Sequence, residues 1–122
     1  MAYENTVLSL NPDRQKLLTH EAALREGGFQ IISVSAPVEA RFEIEMGRCG
    51  VFLANYLVPI AIYRDLASIF RRSCPGGLVV YVAHRPDDNI PEVDILLSDE
   101  DEPRSIVKRI RAMQRENKTN LA

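Results

Sequence analysis

The apolar positions of the chain follow two rhythms. Short runs of four to six residues take turns with longer stretches in which apolar residues return every three or four positions. The runs Thr6 to Leu10 (TVLSL), Phe29 to Ser33 (FQIIS), Val51 to Ala54 (VFLA), Leu78 to Ala83 (LVVYVA) and Val93 to Leu97 (VDILL) predict five strands. The near-continuous ones have the pattern of strands covered on both faces, as in parallel α/β sheets. Between them the period changes. From Asp13 to Glu26, Leu17 and Leu24 stand one heptad apart and Leu18 and Ala22 at i,i+4, which predicts an amphipathic helix closed by Gly27-Gly28. Pro37 opens a second helix with Val38, Phe42, Met46 and Cys49 on one side. Ile60 to Ser73 carries Ile62, Tyr63, Leu66, Ile69 and Phe70 at helical spacing until Cys74-Pro75-Gly76-Gly77 stops it. Pro103 starts a last helix whose stripe is Ile106, Val107, Ile110 and Met113, and from Arg115 the pattern frays into a polar tail.

Strand and helix thus alternate, with one interruption. Only His84 to Glu92 separate the fourth and fifth runs, and Pro86 and Pro91 lie among them. A parallel crossover normally takes a dozen or more residues, mostly helical. The order predicts an α/β fold of flavodoxin-like type: a doubly wound five-stranded parallel sheet, order 2-1-3-4-5, with its fourth helix shortened or absent. With 122 residues the chain is expected to be one domain, residues 1–122, with its core at about 6–115 and a polar tail at 116–122. Loss of that helix would leave alternate residues among Leu78, Val80, Val82, Ile95 and Leu97 uncovered. Ile90, Pro91 and Val93 of the connector are the residues available to cap them.

Composition acts mainly by exclusion. A net charge of −2 argues against generic nucleic-acid binding, which needs a basic face. The last helix does carry Arg104, Lys108, Arg109, Arg111 and Arg115, but these follow the acidic run Asp99 to Glu102 in the order that a helix dipole favours. Cys49 and Cys74 stand far apart without a CxxC or a partnering His motif, so they are expected to be reduced, buried thiols. His20 is expected on the surface of the first helix. No basic leader precedes an apolar segment, and no run approaches the ~18 apolar residues of a membrane span. A cytoplasmic protein that does not engage the membrane is expected.

The candidate chemistry sits where the strands end. In open parallel sheets the carboxyl ends of the strands face the crevice that binds ligands. The central run stops there at Asn55, within GVFLANYLVP, and Pro59 prevents regular continuation. The element order, the lengths of the first three strand-helix units and the phrase FLANYLVP resemble the receiver domain of two-component response regulators, over about Thr6 to Arg115. That resemblance implies a phosphorylated aspartate four residues before the proline, and Asn55 stands there. The acidic pair that holds magnesium falls on Asn11 and Pro12, with Asp13 one residue later. The switch Ser/Thr falls on Val82 or Ala83, neither of which has a hydroxyl, and the lysine after the fifth strand falls on Ser98.

Phosphoryl transfer needs a nucleophilic carboxylate, carboxylates for the metal and fixed donors for the developing charge. Each is replaced at its expected position, so the chain is expected to be a degenerate pseudo-receiver. The function that follows is non-enzymatic: stand-alone signal transduction through protein–protein interaction, without aspartyl phosphorylation, and with no cofactor or metal. The partner would be a protein, with a homodimer through the strand 4, strand 5 and last-helix face as one form. The alternative is a flavodoxin-like module binding a small ligand or metal in the crevice, with Asp13, His84, Asp87, Asp88 and Asp99 as candidate ligands beside Asn11 and Asn55. Their spacing fits no metal motif. A third reading keeps phosphorylation at an unexpected residue such as Asp13.

Overall fold

The computed structural model describes residues 3–85 and 88–121, with side chains up to residue 117. Five strands and four helices follow one another as β1 (Thr6–Leu10), α1 (Arg14–Glu26), β2 (Gln30–Val34), α2 (Pro37–Met46), β3 (Val51–Asn55), α3 (Ile60–Ser73), β4 (Leu78–Ala83), β5 (Ile95–Ser98) and α4 (Pro103–Leu121). The strands form one sheet in the order β2-β1-β3-β4-β5, every neighbouring pair parallel. β1, β3 and β4 are buried along their whole length, the burial expected of near-continuous apolar strands with helices on both faces.

The period-2 alternation of the strands divides the core in two. Leu8, Leu10, Phe52, Ala54, Val79, Tyr81 and Ala83 face the layer that includes Tyr63, Leu66 and Phe70 of α3 and Ala40 and Ile44 of α2. Val7, Val51, Leu53, Val80, Val82, Ile95 and Leu97 face Leu24 of α1 and Ile106 and Ile110 of α4. At the foot of β3 the chain passes so close to its own start that only glycine fits. A Cβ on Gly50 would lie 2.5 Å from the carbonyl oxygen of Tyr3.

The expectation of a shortened or absent fourth helix is corrected: four helices are present, and the fourth, α4, is the longest at 19 residues. It continues to Leu121 instead of fraying at Arg115. Between β4 and β5 runs a connector with no helix among its described residues. The strand residues expected to lie bare, Leu78, Val80, Val82, Ile95 and Leu97, are all buried, because they face α1 and α4 and not the connector. On the opposite face Ile90 and Val93 of the connector pack into the α2/α3 layer, and the Tyr63 hydroxyl donates to the Pro91 carbonyl at 2.8 Å. Asp94 pins the end of the connector. Its Oδ2 accepts from the Val79 N–H and from Arg71, each at 2.8 Å, and its own N–H donates to the Val79 carbonyl at 2.9 Å.

Two expected helix stripes also turn out differently. In α1, Leu17 and Leu24 are buried while Leu18 is 51% exposed. In α2 the buried residues are Ala40 and Ile44, and Val38, Phe42 and Met46 face solvent. α1 packs against α4 and the β1–β2 wing of the sheet, and α2 chiefly against α3, so each helix buries the residues on those contacts and leaves the neighbouring stripe in water.

Candidate functional site

Because all five strands run the same way, their carboxyl ends and the loops that follow gather at one end of the sheet. Leu10 is in register with Ala54, so Asn11 and Asn55, one residue further on, stand side by side at the ends of β1 and β3. Both are buried, at 1% and 2% exposure. Each side-chain oxygen turns back onto its own chain: Asn11 Oδ1 accepts from the Asp13 N–H at 2.9 Å, and Asn55 Oδ1 from the Leu57 N–H at 3.1 Å. These Asx turns fix the orientation of both amides, since only the oxygen can accept. The two NH2 groups are left buried without a hydrogen-bond partner, as is the hydroxyl of Ser9.

The remaining candidate positions do other work. Pro12 is exposed. Asp13 caps α1, its Oδ1 accepting from the N–H groups of Gln15 and Lys16 at 3.0 and 3.2 Å. Val82 is in register with Asn55, and both Val82 and Ala83 are buried. Ser98 ends β5 and is buried; its N–H donates to Asp101 at 2.7 Å and its hydroxyl accepts from the Glu100 N–H at 3.2 Å. Asp88 accepts from the Arg85 N–H at 3.1 Å and so closes a local turn. Asp87 lies outside the described residues. The expected crevice ligands do not form one cluster: Asp13 and Asp99 line a common cavity and His84 lies against Tyr56, but Asp88 is spent on its own turn, and among the described residues no group of three or more His, Cys, Asp or Glu could hold a metal ion.

At the same end of the sheet stands a polar clasp built on two residues without a signal in the receiver resemblance. Lys16, in the first turn of α1, places its ammonium 2.8 Å from Asp99 and 2.9 Å from the Tyr56 hydroxyl, which in turn donates to Asp99 at 3.2 Å. The His84 ring packs at a tilt of 51° against Tyr56, with ring centroids 4.8 Å apart. The hydrogen bond to Asp99 pushes the Lys16 ammonium well above its ordinary range, with Tyr56 adding to the effect; the same bond holds the Asp99 carboxyl below its own. Three segments are tied by these contacts: the start of α1, the β3–α3 loop and the β5–α4 loop. Tyr56 follows directly on Asn55 and was the one signal available, an aromatic hydroxyl at a strand end. Lys16 carried none.

Beside the clasp is a cavity of about 300 Å³ between α1 and the β5–α4 loop, lined among others by Asp13, Lys16, His20, Asp99 and Asp101. His20, expected on the surface, is half-buried in this wall, and burial lowers its pKa. Cys49 and Cys74 are free, buried thiols, as expected, and burial pushes both up.

No protein-family model and no curated protein matches the chain. Its architecture, however, recurs in solved structures. The chain is similar to a CheY-like response regulator receiver domain protein from Methanospirillum hungatei JF-1, with a TM-score of 0.80 at 15% identity over 95% of this chain and 98% of that one. It is similar to a response regulator from Thermotoga maritima, with a TM-score of 0.74 at 17% identity over 88% and 94% of the two chains. The BeF3-activated DrrB receiver domain gives a TM-score of 0.75 at 12% identity over 94% and 99%. The fold is that of CheY-like receiver domains. Among the described residues no helix is long and apolar enough to cross a membrane.

Proposed function

We propose that residues 1–122 form a single receiver-like domain that works in signal transduction by binding a protein partner, without catalysis and without aspartyl phosphorylation. The observation that carries this reading is the strand-end floor. Two neighbouring buried carboxylates would repel one another and call for a cation, whereas Asn11 and Asn55 are neutral and each is spent on its own turn. An amide is also a poor nucleophile. At the position that the receiver resemblance gives to the lysine stands Ser98, and the nearby cation, Lys16, is already paired with Asp99. The clasp ties the start of α1 to two loops in one arrangement, which suits a constitutive conformation better than one awaiting a phosphoryl group. As for the partner, the β4, β5 and α4 face loses its motive as an apolar homodimer surface, because its strand residues are covered.

Intact mass and light-scattering mass, with and without magnesium and acetyl phosphate, test this reading. An unmodified chain whose mass ignores the donor is the expected result. A labile phosphoryl adduct, on Asp13 or elsewhere, overturns it. The cavity beside Lys16 and His20 favours a second reading, a small-ligand module, which predicts a rise in melting temperature with the ligand concentration.

A further inference from the structure

Val38, Phe42 and Met46 project from α2 at i, i+4 and i+8 and are 75%, 59% and 48% exposed. Together they make one apolar ridge roughly 12 Å long at 1.5 Å per residue. A hollow flanks its N-terminal half on each side. Toward α3 lies a groove of about 580 Å³ lined by Pro37, Val38, Arg41, Ile62, Asp65 and Leu66, and Ile62 is itself 39% exposed. Toward the edge strand β2 lies a second, of about 280 Å³, lined by Val34, Val38, Glu39, Phe42 and Glu43. Contiguous apolar surface of this kind is uncommon on a soluble monomer unless something docks on it.

The two sides of the ridge differ in charge. On the α3 side Arg41 stands with Asp65 in the groove wall and pairs with Glu45 at 3.3 Å, so charges of both signs are present. On the β2 side Glu39 and Glu43 lie one turn apart, and neither is in a salt bridge among the described residues. We propose that this face of α2 receives an amphipathic helix of another protein, with apolar side chains at i,i+4 spacing and lysine or arginine along one flank. A row of residues four apart, with a groove on each side of its Val38 end, is the surface into which the ridges of a second helix pack. The unpaired carboxylates select the basic flank. A second copy of the chain is the poorer occupant, because an antiparallel two-fold pairing of α2 sets Glu39 and Glu43 of both copies along one seam. The inference deepens the interaction reading above and rests on it for its biological meaning.

The test is fluorescence anisotropy with two labelled 14-residue helical probes, one of leucine and lysine and one of leucine and glutamate with the same apolar spacing. They are titrated with the intact chain and with the Val38→Ser/Phe42→Ser and Glu39→Lys/Glu43→Lys variants. The expected result is binding of the basic probe and not the acidic one. Binding should fall roughly tenfold or more in the serine variant, as for the loss of a central apolar anchor, and the preference should reverse in the lysine variant. Equal binding of both probes, or variants that bind like the parent, overturns the proposal. So does a dimer in light scattering that the serine variant dissolves, since the second copy is then the occupant. All four substituted residues face solvent or line the outer groove, so the variants fold. A phosphoryl adduct would sink the earlier reading without altering these titrations, and indifferent probes would sink this one while leaving the mass result untouched.

Discussion

Two regions of the molecule place groups where solvation disfavours them, in opposite directions. On α2, Val38, Phe42 and Met46 stand in water; at the strand ends, the amides of Asn11 and Asn55 are shut out of it. An exposed apolar ridge costs little in the isolated chain, because the unfolded state exposes it too. A buried NH2 without a partner carries a desolvation penalty of about 1–3 kcal/mol that the unfolded state does not share. The ridge is thus a surface that association can improve. The floor is a sealed position, covered by neighbouring loops, where change is expensive.

The sharpest test of that contrast uses two phenylalanines in the same helical layer. Phe70 of α3 is fully buried and Phe42 of α2 is 59% exposed. In chemical denaturation, Phe70→Ala is expected to lose about 3–5 kcal/mol, as for large-to-small changes in a core. Phe42→Ala should stay within roughly 0.5 kcal/mol of the parent. A Phe42→Ala loss comparable to that of Phe70→Ala would mean that the ridge is structural and not a free surface.

Asn55→Asp probes the floor. The new carboxylate would be buried beside Asn11, and the nearby cation, Lys16, is already paired with Asp99, so burial raises its folded pKa above the unfolded value of about 3.9. The sign follows: at pH below about 4 both states are protonated and the penalty vanishes, and as pH rises it grows until the folded pKa is passed. The expected loss at pH 7 is about 2 kcal/mol or more, shrinking toward pH 4, with no phosphoryl adduct gained. A variant as stable as the parent at neutral pH would show that the floor accepts charge.

The smallest effect belongs to the clasp. Lys16→Met removes an ion pair whose side chains are each 31% exposed, so the expected loss is only about 0.5–1 kcal/mol. Asp99 has a lowered folded pKa, so its contribution is present above its unfolded value of about 4 and is lost as pH falls through the folded one. Lys16 has a raised folded pKa, so its contribution is complete below about 10.4 and is lost as pH rises through the folded value. The stability difference between parent and Lys16→Met should therefore be flat near neutrality and close at both extremes. A difference that grows in acid would place the effect elsewhere.

Most of the architecture was legible in the chain because strands and helices announce themselves by local period. The five runs, the order of elements and the strand end at Asn55 are all short-range signals. What a stripe faces is not. Val38, Phe42 and Met46 have helical spacing as regular as that of α3, yet Ala40 and Ile44 are the residues that α2 buries in the layer it shares with α3. Which strand residues meet which helix layer was misjudged for a similar reason. Alternation separates two faces but does not say which one α4 covers, so Val80, Val82 and Leu97 were assigned to the wrong neighbour. Asn11 and Asn55 are legible as strand-end residues, but that both are buried follows only from where β1 and β3 end in the sheet. The clasp was out of reach, since Lys16 and Asp99 lie 83 positions apart and acquire meaning only once the sheet has set the loops side by side.

That separation has a consequence in time. Joining Lys16 to Tyr56 closes a span of 40 residues, and joining it to Asp99 a span of 83, so loop-closure cost favours their meeting after the strands that carry these loops have paired. Contacts made after the folding barrier leave the rate of assembly unchanged and lengthen the life of what has been assembled. The clasp is then a latch on a finished object: salt, which screens it, shortens the residence of the chain in its folded form without hindering the chain from reaching it.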